Sequence, residues 1–425
     1  MDQQTHESLD VSGFAGLNNI RIELEQFNLL IGPQATGKSI LAKLLFYFKG
    51  VIWHVFTSAQ SQQPKRELDQ GLLKRFEELF PPQSWGKNPF SICYRHNELH
   101  IEITREHSNK SLIQIHYSKF FHTELIRIKK ALLNSRERSQ EDEFERYQVI
   151  SRLRESLGAN AREMFGPRAS LSQLFIPAGR SFFANLQSSI FTFLSGNNAI
   201  DPFLKEFGSF YENIKRTGDQ SRRRTDDTKN YFEETERLIQ EILCGKYVTE
   251  KGRDYLDVVD GRRINLGNCS SGQQETLPLA LILKRLPFLR GKSGGYSVYI
   301  EEPEAHLFPT AQRLILELIA LAFNAAESRV QVIITTHSPY VLTALNNLIQ
   351  AGALYSKAGK NQMTSLSKLV PKSRAIPISS VAAYSLTRKG CESIIDADTE
   401  LLKTELIDHV STDLAVQFDE LLNLE

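Results

Sequence analysis

Cysteine is scarce in this sequence. There are four among 425 residues, Cys93, Cys244, Cys269 and Cys391, and no two form a Cys-x-x-Cys pair. That scatter argues against a zinc site or a disulfide frame, and reduced thiols in a cytoplasm are the expectation. Net charge is scarce too. Lys and Arg number 51 against 50 Asp and Glu, which leaves +1, so any surface for nucleic acid or membrane has to be local. No run of about 18 apolar residues occurs, and no membrane span is expected. Met1 to Asp10 is polar and acidic and lacks the apolar core of an export signal. The remaining composition is that of a globular protein, long enough for one large domain with insertions or for two to three domains.

Against that background one stretch stands out. Ile31-Gly32-Pro33-Gln34-Ala35-Thr36-Gly37-Lys38-Ser39 follows the phosphate-loop pattern of Gly, four residues, then Gly-Lys-Ser. Phe27 to Ile31 ahead of it reads as a buried strand, and Ile40 to Phe48 behind it reads as a helix with an apolar face. A phosphate loop needs that setting, because loop amides and the helix N-terminus both point at the anion. Lys38 is expected to reach the β- and γ-phosphates of ATP, and the Ser39 hydroxyl to take a Mg²⁺ position.

Three later stretches narrow the chemistry. Cys269-Ser270-Ser271-Gly272-Gln273-Gln274-Glu275 opens an apolar helix from Leu277 to Leu286, and Ser and Gly at a helix N-terminus form an anion site. Tyr296 to Ile300 is an apolar strand that delivers Glu301-Glu302 at its C-terminal end, where ligands sit in α/β sheets. One carboxylate can hold Mg²⁺ and the next can orient or deprotonate an attacking water. Val330 to Thr336 is a buried strand leading to His337, placed to hydrogen-bond a γ-phosphate or that water. Each stretch also has a plain structural reading, as a helix cap, a solvated strand end or a core histidine. Their order behind a phosphate loop favours the catalytic one.

That order resembles the ATP-binding-cassette-type ATPases of the AAA family. It is most similar to the non-transporter branch of chromosome-maintenance (SMC), recombination (RecF) and overcoming-lysogenization-defect (OLD) proteins. Within that branch it looks like the Septu and retron-associated anti-phage defence ATPases. Ser270-Ser271-Gly272-Gln273 resembles the cassette signature Ser-Gly-Gly-Gln with Ser for the first Gly, and Glu302 to Pro309 resembles that branch's continuation of the acidic strand. The resemblance covers roughly residues 12–50 and 170–345, with a weaker echo at Val381-Ala382-Ala383-Tyr384. It implies an α/β fold: a cassette ATPase head with a mixed central sheet flanked by helices, plus a mainly helical insertion. It also implies roles. Gly32 to Ser39 hold ATP, Ser39 and Glu301 hold Mg²⁺, and Glu302 and His337 serve hydrolysis. Ser270, Ser271, Gly272 and Gln273 cap the nucleotide of a second subunit, in a homodimer or higher homo-oligomer. Two positions depart from the pattern. Glu301 stands where Asp is usual, for which slow turnover is the expectation, and Gln34 replaces the usual Asn.

Four segments follow: 1–56 as the first part of the head, 57–168 as the insertion or lid, 169–350 as the second part of the head, and 351–425 as an α/β extension. Lys119 to about Phe165 reads as charged helix, either a solvated lid or a docking arm. Arg180 can face phosphate or make a structural salt bridge, and Gln173 is a weak candidate for reading Mg²⁺ and water, with an ordinary surface residue as the favoured alternative. Arg222-Arg223-Arg224 reads as a solvated loop, with a phosphate grip as the alternative. Asp396 and Asp398 mimic part of a metal-nuclease motif, but N-capping of a helix from Thr399 to Ile407 is favoured. The expected protein is a cytoplasmic ATPase subunit of a prokaryotic anti-phage system, controlling a separate effector, a nuclease or toxin, with no membrane partner. The alternatives are a RecF- or SMC-like repair ATPase that clamps DNA directly and, less well matched, a transporter's energy subunit.

Overall fold

The computed structural model describes residues 6–106, 112–138, 143–185, 201–216, 226–357, 359–403 and 409–422. Arg222, Arg223 and Arg224 lie outside them. The strands are β1 (Glu7–Ser12), β2 (Ile20–Glu23), β3 (Phe27–Ile31), β4 (Phe90–His96), β5 (Leu99–Arg105), β6 (Gln114–Tyr117), β7 (Ser172–Ile176), β8 (Gly245–Glu250), β9 (Arg253–Val258), β10 (Arg263–Asn265), β11 (Tyr296–Glu301), β12 (Val330–Thr336), β13 (Val381–Thr387) and β14 (Gly390–Ser393). The helices of the first part are α1 (Lys38–Gln60), α2 (Lys65–Leu79), α3 (Lys119–Arg138) and α4 (Glu143–Phe165).

Six strands form the central sheet in the order β14–β13–β3–β12–β11–β7, all parallel except β14. Strands β3 and β12 are buried at every residue, as continuous apolar runs in a parallel sheet with both faces covered should be. One face of this mixed α/β fold presents Leu29, Ile31, Val298, Ile300, Val332 and Ile334 to the helices Ser271–Arg285, Pro309–Ala326 and Pro339–Lys357. The other presents Leu30, Phe175, Tyr299 and Ile333 to α1. Helix α1 is sandwiched, because its far side meets Leu9, Val11, Ile92 and Ile103 of a second, antiparallel sheet ordered β2–β1–β4–β5–β6. It is the one helix among the described residues long and apolar enough to cross a bilayer, and most of it is buried inside the protein.

The seam between the sheets holds a charge. Glu7 is fully buried and accepts from Lys49, Tyr94 (2.8 Å) and Gln331 (3.0 Å), with Arg168 at 3.3 Å. Burial alone would raise its pKa, but Lys49, His96 and Arg168 more than offset that and lower it to about 2. Burial, with repulsion from Lys49 and Arg168, pulls His96 down to about 4 despite Glu7. The network pins α1, the β1–β4 sheet and the start of β12 to one another.

Elsewhere local chemistry sets the outline. β8 and β9 are joined at Lys251-Gly252, both with positive φ (51° and 76°), the backbone of a tight hairpin turn, and β10 adds a third antiparallel strand. The expected helix from Thr399 does not start there. Asp396 accepts from the backbone of Asp398 (3.1 Å) and Thr399 (2.9 Å), which closes a tight turn, and Ile395 bridges back to Leu402. Asp396 caps this turn because the chain must return to the β13–β14 edge.

Candidate active site

Because β3, β12, β11, β7 and β13 run parallel, their C-terminal ends lie at one edge, and the candidate residues emerge together there. After β3 the loop turns sharply. Gly32 has φ 149°, and a Cβ on it would lie 2.1 Å from the Leu386 carbonyl of β13, so glycine is required where the two strands press together. Lys38 is 6% exposed, and its ammonium donates to the carbonyls of Gly32 (2.7 Å) and Pro33 (2.6 Å). Burial lowers its pKa, against the pull of Glu302 and Glu304.

One cavity of about 610 Å³ is lined by Gln34, Ala35, Thr36, Gly37, Lys38, Ser39 and Glu302. Its other walls come from Ala15 to Asn18, Ile20, Ile40 and Thr387 to Gly390. Arg388 and Lys389, at the β13–β14 turn, were not legible as site residues. Their place depends on β13 pairing with β3, and no local motif announces that pairing.

Glu301 is 6% exposed. Its Oε2 accepts from the Ala178 amide (3.3 Å), while its Oε1 is buried with no hydrogen-bond partner. A buried carboxylate oxygen left unpaired suits a cation, so Glu301 fits the expected Mg²⁺ role. Glu302 has φ 42°, a left-handed conformation uncommon for a non-glycine residue, fixed by its amide's bond to the Thr335 carbonyl (2.9 Å). Its Oε1 lies 3.6 Å from His337 Nδ1, and Glu304 Oε1 lies at the same distance. Glu304, 3% exposed, is the less obvious member. It accepts from the Thr336 hydroxyl and the His337 amide (3.1 Å), locking the acidic turn to the end of β12.

Arg180 takes the structural alternative. It is fully buried and donates to the carbonyls of Pro177 (2.8 Å), Glu301 (2.7 Å), Glu302 (3.1 Å) and Glu275 (3.1 Å), while its amide donates to Glu275 Oε2 (2.7 Å). It ties the acidic turn to the helix Ser271–Arg285. Gln173 belongs to the scaffold as well. It sits at the start of β7, away from the C-terminal edge, with Tyr299 donating to its Oε1 (2.6 Å) and its Nε2 donating to Leu171 (2.7 Å).

The signature stretch stands apart from the cavity. Ser270 and Gln273 form a capping box at the start of their helix, with Ser270 N donating to Gln273 Oε1 (3.0 Å). Ser270 and Ser271 are exposed. A Cβ on Gly272 would lie 2.6 Å from the His306 carbonyl, so this turn and the acidic turn are packed backbone against backbone. Ser270, Ser271, Gly272 and Gln273 do not line the cavity that holds Lys38. Within one chain the structure brings together Lys38, Ser39, Glu302 and His337, and leaves the exposed signature turn to face outward.

A family model described as "AAA domain, putative AbiEii toxin, Type IV TA system" matches residues 27–343. No curated protein matches the chain significantly. Solved structures with some likeness include an SMC head bound to the C-terminal winged-helix domain of ScpA, at 12% identity and TM-score 0.38, covering 92% of this chain and 96% of that one. Another is the SMC head domain of Thermotoga maritima, at 12% identity and TM-score 0.34, covering 80% and 91%. A third is the Pyrococcus furiosus Smc head with an extended coiled coil bound to the ScpA C-terminal domain, at 12% identity and TM-score 0.36, covering 96% and 99%.

Proposed function

We propose a function on the premise that this chain belongs to the AAA-domain family whose model spans residues 27–343: it is a Mg²⁺-dependent ATPase subunit that closes around ATP as a homodimer and controls a separate effector, a nuclease or toxin, in a prokaryotic anti-phage system. The observation that carries the ATPase reading is the single cavity lined jointly by the phosphate loop and Glu302. Lys38 and the loop amides hold the phosphates, and Ser39 and Glu301 hold the ion. Mg²⁺, when bound, offsets the negative charge of the β- and γ-phosphates. Glu302, held by its strained backbone at the cavity wall, orients and deprotonates the attacking water. His337, facing both Glu302 and Glu304, positions that water and the γ-phosphate.

The dimer reading rests on the signature helix, whose capped N-terminus lies outside its own chain's cavity and suits the γ-phosphate of a second subunit. Arg180 then gives that helix a rigid tie to its own acidic turn, so the two nucleotide sites of a dimer are mechanically linked. The effector reading is supported by the matched family's description, which names a putative toxin and a type IV toxin–antitoxin system. A pull-down of the Glu302→Gln chain with ATP, from cells carrying its own operon and read by mass spectrometry, tests it. A stoichiometric nuclease or toxin is expected. A chain that brings down DNA and no stoichiometric protein would instead support direct clamping of DNA in the manner of a repair ATPase.

A further inference from the structure

The opposite end of the central sheet carries a second cavity, of about 750 Å³. It sits where β7, β11 and β12 begin, and its walls are α4, the loop from Arg290 to Gly294 and the turn at Ser328-Arg329. Arg152, Arg162, Arg290, Lys292 and Arg329 line it, and the one acid among the lining residues is Glu155. None of these cations forms an ion pair with a carboxylate among the described residues. A protein of net charge +1 has thus gathered five cations around one cavity, with Glu155 the one acid in its lining and Glu206 pulling on Lys292 from outside it.

The cavity is built on fixed backbone. Arg162 donates to the Ser293 carbonyl (2.8 Å) and to the Ser170 hydroxyl (2.9 Å), and the Lys292 amide donates to Ser172 Oγ (2.7 Å). A Cβ on Gly295 would lie 1.9 Å from the Arg329 carbonyl, so the loop is pressed against the start of β12. Partial burial, then repulsion from Arg154, holds the Lys292 ammonium below the usual lysine range. An arriving anion would relieve that repulsion.

We propose that this cavity binds the phosphate backbone of a nucleic-acid duplex. Three features select that ligand. Arg152 and Arg162 are set about 15 Å apart along α4 at 1.5 Å per residue, a spread that suits several phosphates of one strand better than a single small anion. The cations come from three separate elements, which suits a line of charges. Among the described residues no aromatic side chain lines the cavity, which favours recognition of the backbone, independent of sequence, over stacking of unpaired bases.

The test is fluorescence anisotropy of the full chain with a short labelled DNA duplex, and separately an RNA duplex, across a salt series. The wild type is expected to bind with a marked salt dependence. Arg290→Glu with Lys292→Glu should weaken binding by about 10-fold or more and reduce the salt slope by about 2, one per lost phosphate contact. ATP binding should be unchanged in that variant, and Lys38→Ala should still bind the duplex. If the double variant does not fold, Arg152→Glu on the exposed side of α4 tests the same point, with the salt slope reduced by about 1. The proposal is overturned if the wild type binds neither duplex, if the double variant binds as the wild type does while Lys38→Ala fails, or if pyrophosphate displaces the duplex at low concentration, which would make this a small-anion site.

Discussion

At the C-terminal end of the central sheet the cations are compensated from within. Lys38 is wrapped by the carbonyls of its own loop, and Arg180 is saturated by four carbonyls and Glu275. At the N-terminal end, Arg290 and Lys292 face a cavity with one acid among its lining residues. The same residue types therefore do different work. Internal compensation fixes geometry, which catalysis on a bound nucleotide requires. Uncompensated charge leaves attraction available for a ligand that brings its own negative charge. The sheet separates a preorganised end from a receptive one.

The comparison can be broken at the compensated end first. Lys38→Ala should abolish detectable ATP binding in an equilibrium assay with a fluorescent nucleotide. Arg180→Ala should be costly in another way, because it strands buried carbonyls and Glu275. A loss of about 3–5 kcal/mol in unfolding free energy is expected from denaturant titration, and Arg180→Lys should not restore it, since one ammonium cannot reproduce the guanidinium fork. Glu304→Gln should keep the fold and ATP binding but lower turnover by about 10-fold, because His337 and Thr336 lose a charged anchor. The receptive end predicts the contrast: the double charge reversal at Arg290 and Lys292 should leave thermal unfolding nearly unchanged.

The seam around Glu7 predicts a dependence on pH. Glu7 and His96 both have folded pKa values below their ordinary ones, about 2 and about 4. The unfolded chain therefore takes up protons before the folded one as pH falls. Stability should be flat above about pH 6.5, decline first as unfolded His protonates, and decline further below about 4.5 as unfolded carboxylates do. Denaturant midpoints across that range would show it, and Glu7→Gln should flatten the lower part of the decline.

Much of the C-terminal end was legible in the sequence because its signals are local. The loop from Gly32 to Ser39 announces itself by spacing, Glu301-Glu302 and His337 by buried strands that end in polar residues, and Ser270 by its capping box. Arg388, Lys389 and the hub role of Glu304 were not legible, because they depend on which strands become neighbours. Gln173 is a part of the scaffold because its position along β7 matters more than its residue type. At the start of that strand it faces Tyr299 and Leu171 instead of the cavity. The seam around Glu7 joins β1, α1, β4 and β12, and no single window of sequence contains it. The helix expected from Thr399 fails for a related reason: Asp396 is a turn former as readily as a helix cap, and the bridge between Ile395 and Leu402 decides which.

Glu302 is proposed to activate water for a nucleotide held by Lys38 and closed over by a second subunit. The most direct measurement is ATP turnover, nucleotide affinity and molar mass by light scattering, taken together on Glu302→Gln and wild type with ATP and Mg²⁺. Unchanged affinity, turnover lower by about 100-fold or more, and a dimer mass that persists in the variant are expected. Hydrolysis by Glu302→Gln at the wild-type rate would contradict that role for Glu302.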